Sequence, residues 1–420
     1  MAKTASASVE LPSESPRESR AFEHLHSMRR GCIVLQAFST TSLLYEKVKM
    51  KLAVDGTVFQ GAGDGIPKAT RCLLENVTRL TRSLDVTVIH RRPLTCTFSP
   101  RIKAVQIGAS VPEYFWQALV LPAYLARVKP EFVHFVHLPW MRHGIPRLPS
   151  GSKVIVTLHD VLPLTIPNYF ASEQAELAYR KRIQNGLDRS DLVLTISKFS
   201  KKEILRNFNV DARLAVIYYA PTVHKSSGYL TSPSKSYLDY FLYVGGYNKR
   251  KGIERMLKIF IELHEREKLQ SKLLLVGSAR HYYPQELKKL LNQGQRKNAV
   301  AELGYVPDSA LANLYTNARA LIYPSKFEGF GLPPLEAMAL GCPVITTKCT
   351  AIPEICGDAV YYIDPEDEEA FRSSLLDVEK NLELRNKLAR EGLEQAKKFT
   401  WNNASKTFLD ETSRLMEDTS

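Results

Sequence analysis

Short apolar runs of strand length alternate with longer amphipathic stretches along most of the chain. In the first half, the apolar runs that indicate strands are residues 49–54, 85–90, 132–136, 153–159 and 191–196. In the second half they are residues 240–244, 272–277, 300–304, 320–323, 343–347 and 359–364. The stretches of helical character are residues 66–84, 112–127, 171–188, 198–208, 253–266, 333–340 and 401–416. Strands that alternate with helices are typical of parallel sheets, so the pattern predicts an α/β fold.

The alternation is interrupted in two places. Residues 1–28 are polar and rich in Ser, Pro and Glu, which predicts disorder, whereas residues 29–49 hold an apolar piece compatible with an extra strand or an interaction segment. Residues 223–236, rich in Ser, Gly, Lys and Pro, have the composition of an interdomain linker. A chain of 420 residues is long enough for two domains. We therefore expect an extension over 1–48, a first domain over 49–230 and a second domain over 231–399.

One stretch, Ala318–Thr347, combines a strand, a glycine-containing loop, a helix and another strand. A doubly wound sheet binds its ligand beyond the carboxyl end of such a strand, which here is the loop 325–332. Pro333 and Pro334 suit the first turn of the following helix, where their missing N–H groups would have no intrahelical partner. Glycines in the loop allow a ligand close to the backbone, and the free N–H groups at the helix start favour sugar hydroxyls or phosphate oxygens.

Two carboxylates flank this loop. Glu328 lies on the loop and Glu336 in the first helical turn, so both can accept hydrogen bonds from the hydroxyls of a polyol in one cleft. Alternatively, Glu336 only complements the helix dipole. The two glutamates alone leave both interpretations open.

A second candidate site opens the second domain. The run Tyr240–Val244 is followed by the glycine turn Gly245-Gly246, then by Arg250 and Lys251 at the start of a helical stretch. Backbone donors and two cations together match a diphosphate. Because basic residues at a helix start oppose the dipole, a purely structural role is disfavoured.

The first domain offers weaker signals at its own strand ends. Glycines 61, 63 and 65 follow the first strand but do not form the GxGxxG fingerprint, so a phosphate-binding loop and a mobile loop are equally compatible with them. His159 and Asp160 end an apolar strand at the ligand edge of the sheet, where a structural role is also open and Asp160 is expected to orient a loop. Ser197 is a plausible helix N-cap. His134, His137 and His143 are interpreted as core or surface histidines.

The string Glu328-Gly-Phe-Gly-Leu-Pro-Pro-Leu-Glu336-Ala-Met-Ala-x-Gly-x-Pro-Val closely resembles the Glu-x7-Glu signature of the retaining family 4 glycosyltransferases, also called group 1. That resemblance implies the GT-B fold, in which two Rossmann-like domains face a cleft and a closing helix, here 400–420, crosses back to the first domain. It also implies that Glu328 and the loop amides hold the donor sugar and that Glu336 holds the nucleotide ribose. The loop amides are those of Gly329, Phe330, Gly331 and Leu332.

Further roles follow from the same resemblance. His159 is expected near the reacting carbon, Gly65 near the donor phosphate, and the backbone of Tyr305 and Val306, within Gly304-Tyr-Val-Pro-Asp308, at the base. Many members carry an arginine where this chain has Gly246, so we assign Arg250 as well as Lys251 to the diphosphate, beside Gly245 and Gly246. A second departure is Ile217-Tyr-Tyr-Ala-Pro221, where many members have a proline-asparagine-glycine type turn.

The expected activity is transfer of a hexosyl group from a nucleoside diphosphate sugar to an acceptor hydroxyl, with retention at the anomeric carbon. Similarity to bacterial polysaccharide mannosyltransferases favours GDP-mannose, with UDP-glucose next, and a saccharide or lipid-linked saccharide as the acceptor. The cations at 250 and 251 can replace a metal, so neither a metal nor another cofactor is expected. The alternatives are a catalytically inactive GT-B binding or scaffold protein and a nucleotide-sugar epimerase.

Composition narrows the setting of this activity. The six cysteines show no CxxC or Cys/His ligand spacing, which argues against zinc and against a disulfide scaffold. The sequence has no apolar run of about 18 residues and no signal-peptide centre, so we expect a cytoplasmic protein. The net charge of +13 favours anionic partners, which include the inner face of an anionic membrane. Without a zinc finger, an RNA-binding signature or a long basic block, no nucleic-acid partner is expected.

Overall fold

The computed structural model of the chain describes residues 49–61, 65–138, 144–146, 148, 151–224, 239–278 and 284–417. The predicted extension 1–48, most of the predicted linker, Gly63 and His143 lie outside these residues. Met50–Ser420 forms one compact unit.

Seven parallel strands form the first sheet, in the order β3-β2-β1-β4-β5-β6-β7. They are β1 (Met50–Asp55), β2 (Leu84–His90), β3 (Ile102–Gln106), β4 (Phe132–Phe135), β5 (Lys153–Thr157), β6 (Leu192–Thr195) and β7 (Arg213–Val216). The helices of this half are α1 (Gly65–Leu80), α2 (Leu121–Val128), α3 (Glu173–Leu187) and α4 (Lys198–Asn207). A short helical turn, Glu113–Phe115, and a π-helix, Trp116–Val120, lead into α2.

The second sheet has six parallel strands, in the order β10-β9-β8-β11-β12-β13. They are β8 (Tyr240–Val244), β9 (Lys272–Val276), β10 (Val300–Gly304), β11 (Ala320–Tyr323), β12 (Val344–Thr347) and β13 (Tyr361–Ile363). The helices are α5 (Ile253–Glu265), α6 (Gln285–Arg296), α7 (Asp308–Asn317), α8 (Leu332–Ala339), α9 (Ile352–Cys356), α10 (Glu368–Lys380), α11 (Leu382–Ala396) and α12 (Trp401–Glu417).

Burial explains which strands the sequence pattern predicts. Every residue of β4, β6, β8, β11 and β12 is buried, as expected for parallel strands covered by helices on both faces. The edge strands β3 and β7 are largely exposed or half-buried, although each has three apolar residues, and they were not predicted. The predicted helix over 66–84 ends at Leu80, because Leu84 already begins β2.

The last helix, α12, connects the end of the second half to the first. It packs against α1, and Glu411 on α12 pairs with Arg213 on β7. At its start, the indole Nε1 of Trp401 donates a hydrogen bond of 2.9 Å to the carbonyl oxygen of Pro221. The two places where the chain crosses between the halves are therefore tied together.

In both sheets the strand order reverses beside the first strand, at β1/β4 and at β8/β11. Parallel α/β sheets bind ligands beyond the carboxyl ends of the strands at such a switch point. Each half therefore presents one binding edge, and the predicted α/β fold class with two doubly wound sheets is confirmed.

Two glycines at the carboxyl edge of the second sheet allow a test of how closely neighbouring backbone segments approach there. Gly277 has φ +127°, and a Cβ there would lie 2.0 Å from the carbonyl oxygen of Gly245. Gly304, at the end of the neighbouring strand, has φ +64° but nothing within 4 Å of its Cβ position. We expect Gly277→Ala to lower the free energy of unfolding by roughly 3 kcal/mol and Gly304→Ala by about 1 kcal/mol. Urea unfolding followed by circular dichroism measures both, and equal losses would contradict the backbone overlap at Gly277.

Candidate active site

The predicted site residues lie at the carboxyl ends of the two sheets. His159 and Asp160 follow β5, whereas Arg250 and Lys251 follow β8 and the loop from Glu328 follows β11. Contacts between these loops join the two edges, so the described residues place the predicted groups around one seam.

A buried ion cluster forms the centre of the second edge. The Oε1 atom of Glu328 accepts hydrogen bonds from Lys251 Nζ at 2.5 Å, Arg250 Nη1 at 3.0 Å and Ser325 Oγ at 2.5 Å. Lys251 Nζ also contacts the hydroxyl of Tyr323. Glu328 and Lys251 are only 7% and 8% exposed. Three of the residues predicted to carry the chemistry are therefore in direct contact.

The cluster changes the protonation of its own members. Burial alone would raise the pKa of Glu328, but the charges of Lys251 and Arg250 outweigh it and lower that pKa to about 2. Burial lowers the pKa of Lys251 to about 8, and Glu328 opposes a larger change. At neutral pH the carboxylate and both cations are charged.

Backbone contacts hold the cations in place. Lys249–Lys251 form a 3-10 turn that ends at Gly252, whose φ is +67°. A Cβ at Gly252 would lie 2.5 Å from the carbonyl oxygen of Pro324, so glycine is required for this close approach. The Arg250 guanidinium donates to the carbonyl oxygen of Phe327 at 2.6 Å, and the Lys326 amide donates to the carbonyl oxygen of Arg250.

The loop after Glu328 leads directly into α8. Gly331 is the N-cap with φ +105°, and the predicted position of Pro333 and Pro334 in the first helical turn is confirmed. Within the described residues, four successive backbone amides of this loop donate no hydrogen bond: those of Gly329, Phe330, Gly331 and Leu332. Such a row of N–H groups at a helix N-terminus suits an anion or a sugar oxygen.

Gly329 also contacts the first half. Its carbonyl oxygen accepts hydrogen bonds from Ser197 Oγ at 2.7 Å and Ser200 Oγ at 3.2 Å. A Cβ at Gly329 would lie 2.5 Å from Asp160 Oδ2, so only glycine fits there. Ser197 is the N-cap of α4, as predicted, since its Oγ accepts from the Ser200 amide.

His159 and Asp160 are both buried. His159 Nε2 lies 2.9 Å from the hydroxyl of Tyr219, and its Nδ1 lies 3.3 Å from Nδ1 of His137. Burial lowers the pKa of His159 well below its usual value, so the ring is neutral. Asp160 Oδ1 accepts from the Leu162 amide, which confirms its predicted role in orienting the loop. Both nitrogens of His159 thus face groups of the first half, and within the described part of the chain the ring makes no hydrogen bond to the ion cluster.

Glu336 was expected in the first turn of α8 but lies beyond it, because the helix begins one residue earlier, at Leu332. It also makes contacts that the sequence did not indicate. It is 4% exposed, and its Oε1 accepts from Thr222 Oγ1 at 2.6 Å and from the Thr222 amide at 3.3 Å. Its Oε2 faces the hydroxyl of Tyr315 at 3.4 Å. Burial raises the pKa of Glu336. The carboxylate therefore does more than complement the helix dipole, because it binds Thr222, which lies near the end of the first half.

The remaining predicted residues lie farther along the two edges. Gly65 begins α1, and a Cβ there would lie 3.3 Å from a methyl carbon of Leu332. Gly245 has φ +153°, and the carbonyl oxygen of Gly246 accepts from the Tyr243 hydroxyl at 3.0 Å. After β10, Tyr305 is 70% exposed and Val306 is half-buried. No contact recorded within the described residues joins these positions to Glu328.

The part of the chain that the structure describes contains no group of three or more His, Cys, Asp or Glu residues arranged to hold a metal ion.

Comparisons with known proteins match both halves of the chain. A family model described as Glycosyl transferases group 1 matches residues 232–395, and one described as Glycosyltransferase Family 4 matches residues 69–220. Over 264 residues the chain is 34% identical to O-antigen chain mannosyltransferase B of Escherichia coli, covering 60% of this chain and 68% of that protein. The chain belongs to family 4 of the glycosyltransferases. This glycosyltransferase is also 31% identical over 238 residues to O-antigen chain mannosyltransferase RfbU of Salmonella typhimurium, covering 56% of this chain and 63% of the relative.

Solved structures show the same architecture. Sucrose-phosphate synthase from Thermosynechococcus elongatus superposes with a TM-score of 0.69 at 20% identity, covering 88% of this chain and 100% of that one. WaaG, a glycosyltransferase involved in lipopolysaccharide biosynthesis, gives a TM-score of 0.63 at 15% identity, covering 86% and 99%. These similarities show the fold, and the expected GT-B architecture is confirmed.

The buried cluster predicts how stability depends on pH. Because the pKa of folded Glu328 is about 2, below its usual 4.5, this carboxylate stabilises the fold above about pH 4.5 and loses that contribution as the pH falls toward 2. We expect Glu328→Gln to reduce the free energy of unfolding at pH 7 by roughly 3 kcal/mol, since it leaves buried Lys251 and half-buried Arg250 without their carboxylate partner. The difference from the unmodified protein should shrink between pH 4.5 and 2.

The matched control for this prediction is Glu336→Gln. Its partners are hydroxyl and amide groups, so we expect a loss of only about 1 kcal/mol and no narrowing of the difference in acid. Urea unfolding midpoints across pH measure both variants. Equal losses for the two variants would show that the ion cluster contributes no special stability.

Proposed function

We propose that this glycosyltransferase moves a mannosyl group from GDP-mannose to a hydroxyl of a saccharide or lipid-linked saccharide, with retention at the anomeric carbon. The observation that carries the proposal is the contact of Glu328 with Arg250 and Lys251 beside four loop amides that donate to no other described residue. The named relatives support the choice of sugar, because both are O-antigen mannosyltransferases. UDP-glucose is the second candidate donor.

Negative charge develops on the diphosphate as the donor bond breaks. Arg250 and Lys251 are already charged and held by Glu328, so they can meet that charge without reorganisation. The loop amides, which with Glu328 hold the donor sugar, also supply neutral donors to the diphosphate. These cations take the part that a divalent metal plays in other transferases, and the proposed reaction uses no metal.

Retention follows from a reaction on one face of the sugar. The bond from the anomeric carbon to the diphosphate oxygen breaks, the bond to the acceptor oxygen forms on the same face, and the departing diphosphate takes the acceptor's proton. The enzyme contributes positioning and charge stabilisation. Neutral His159 lines the first-half side of this arrangement and orients the sugar.

The nucleotide occupies the second half. Glu336 accepts a ribose hydroxyl at its Oε2, whose hydrogen bond from the Tyr315 hydroxyl is long, at 3.4 Å. The backbone of exposed Tyr305 and half-buried Val306, at the same sheet edge, receives the base.

The acceptor is proposed to lie at a membrane surface. Among the described residues, no helix combines the length and the apolar content needed to cross a bilayer. Tyr114, Phe115 and Leu119 are 52%, 50% and 63% exposed, and exposed cations of the first half include Arg79, Arg82, Arg92, Arg101, Lys103 and Lys181. Exposed aromatic and basic groups together favour peripheral attachment to anionic lipid. Arg91 does not contribute, because it is buried beside Glu113.

Single variants separate the proposed roles. We expect Arg250→Ala and Lys251→Ala to lower kcat by about 100-fold, since each removes charge that meets the leaving diphosphate.

Glu336→Ala should weaken GDP binding by roughly tenfold because the ribose loses a buried acceptor. Mannosyl transfer from GDP-mannose and calorimetry with GDP measure these effects below the unfolding temperature. The control is Arg255→Ala, whose guanidinium pairs with Glu366 outside the cluster.

Several outcomes would reject parts of this proposal. Activity lost with EDTA and restored by Mg²⁺ would overturn the metal-free mechanism. Transfer from UDP-glucose alone would replace the donor. An isomerised nucleotide sugar without transfer would indicate an epimerase, and binding of donor without any turnover would indicate a binding protein.

Vesicle sedimentation tests the membrane proposal. We expect the protein to pellet with vesicles of phosphatidylcholine and phosphatidylglycerol at low salt and to be released at high salt, because exposed charges are screened. Phe115→Ser combined with Leu119→Ser should reduce pelleting, whereas Leu382→Ser, at an exposed leucine of the second half, should not. Absence of pelleting at low salt would redirect the search to a soluble acceptor.

A further inference from the structure

Two buried serines of the first half hold one carbonyl group of the second. Ser197 and Ser200 are both fully buried, and both donate to the carbonyl oxygen of Gly329. The Ser197 oxygen also accepts from the Ser200 amide at 2.9 Å, so its own proton is directed to Gly329. The start of α4 therefore fixes both hydroxyls.

This carbonyl belongs to the same peptide group as the Phe330 N–H. In a trans peptide the C=O and N–H bonds point in opposite directions, so fixing the Gly329 oxygen also fixes the direction of the Phe330 N–H, away from α4. Within the described residues that N–H donates to nothing. Gly329 has no side chain to limit rotation of this peptide group. A side chain would not fit there, because Asp160 occupies the space where a Cβ would lie.

The start of α4 does not depend on this contact alone for attachment to the second half. Glu354 on α9 accepts from the amides of Lys198 and Phe199 at 2.7 and 3.0 Å and from the Tyr218 hydroxyl at 2.7 Å. Since Glu354 already satisfies these amides across the seam, the two serine hydroxyls are not required merely to join the halves.

We propose that Ser197 and Ser200 are positioning residues, which aim the Phe330 N–H at the donor's diphosphate. The inference rests on the proposed transfer reaction and deepens it. Through these hydroxyls, the first half of the chain orients the Phe330 N–H of the second half. The amide is then correctly directed only when α4 is seated on the loop.

The test compares Ser197→Ala/Ser200→Ala with Ser374→Ala. Ser374 is also fully buried, but its hydroxyl donates to Phe371 within α10, so the control removes the same atoms far from the loop. We expect the double variant to lower kcat with GDP-mannose by about tenfold while KM changes much less, and Ser374→Ala to change neither. Should the double variant fail to fold, Ser200→Ala alone keeps the N-cap and is expected to give a smaller loss of the same kind.

A second readout reports on the amide itself. Selective ¹⁵N-phenylalanine labelling restricts the amide spectrum to the 17 phenylalanines. The signal that disappears in Phe330→Leu is that of the Phe330 amide. We expect GDP, and UDP in a second titration, to shift the Phe330 amide signal in the unmodified protein and in Ser374→Ala but much less in the double variant.

The outcomes distinguish this inference from the proposed reaction. Unchanged kcat in a folded double variant, or an equal GDP-induced shift of the Phe330 signal in it, overturns the positioning role. A Phe330 signal that no nucleotide shifts in the unmodified protein overturns it as well. Absence of mannosyl transfer together with a serine-dependent nucleotide shift rejects the proposed donor and supports the positioning role.

Discussion

The pairing of Glu328 with Lys251 and Arg250 is the interaction on which the site depends. A buried charge is tolerated only when it is paired and hydrogen-bonded, and here one carboxylate oxygen serves two cations and a serine hydroxyl. The pairing also explains the local backbone, since Gly252 allows the cationic turn to approach Pro324. The pairing therefore places one carboxylate and two cations together at the carboxyl edge of the second sheet.

Prediction from the sequence succeeded where the information is local. Buried central strands are continuous apolar runs, and the loop, prolines and cations around Glu328 lie in two short segments, so pattern and spacing identify them. The edge strands β3 and β7 also contain apolar residues, but polar residues interrupt or flank them and most positions are exposed or half-buried, so these strands were not recognised.

The contacts across the seam could not be predicted in the same way. Ser197 and Gly329 are 132 positions apart, Thr222 and Glu336 are 114 apart, and His159 and Tyr219 are 60 apart. Which hydroxyl meets which acceptor depends on how two separately formed sheet edges meet. Only the departure at Ile217–Pro221 from the family pattern marked the segment that supplies Tyr219 and precedes Thr222.

The hydrogen bond between Trp401 and Pro221 has a mechanical consequence. It ties the outgoing and returning crossings of the chain together at one point. Rotation of one sheet relative to the other about this crossing would displace distant contacts more than near ones. The hydrogen bonds from Ser197 and Ser200 to Gly329, which also join the two halves, would oppose such a rotation. The opening of the cleft would then depend on these contacts as well as on the crossing.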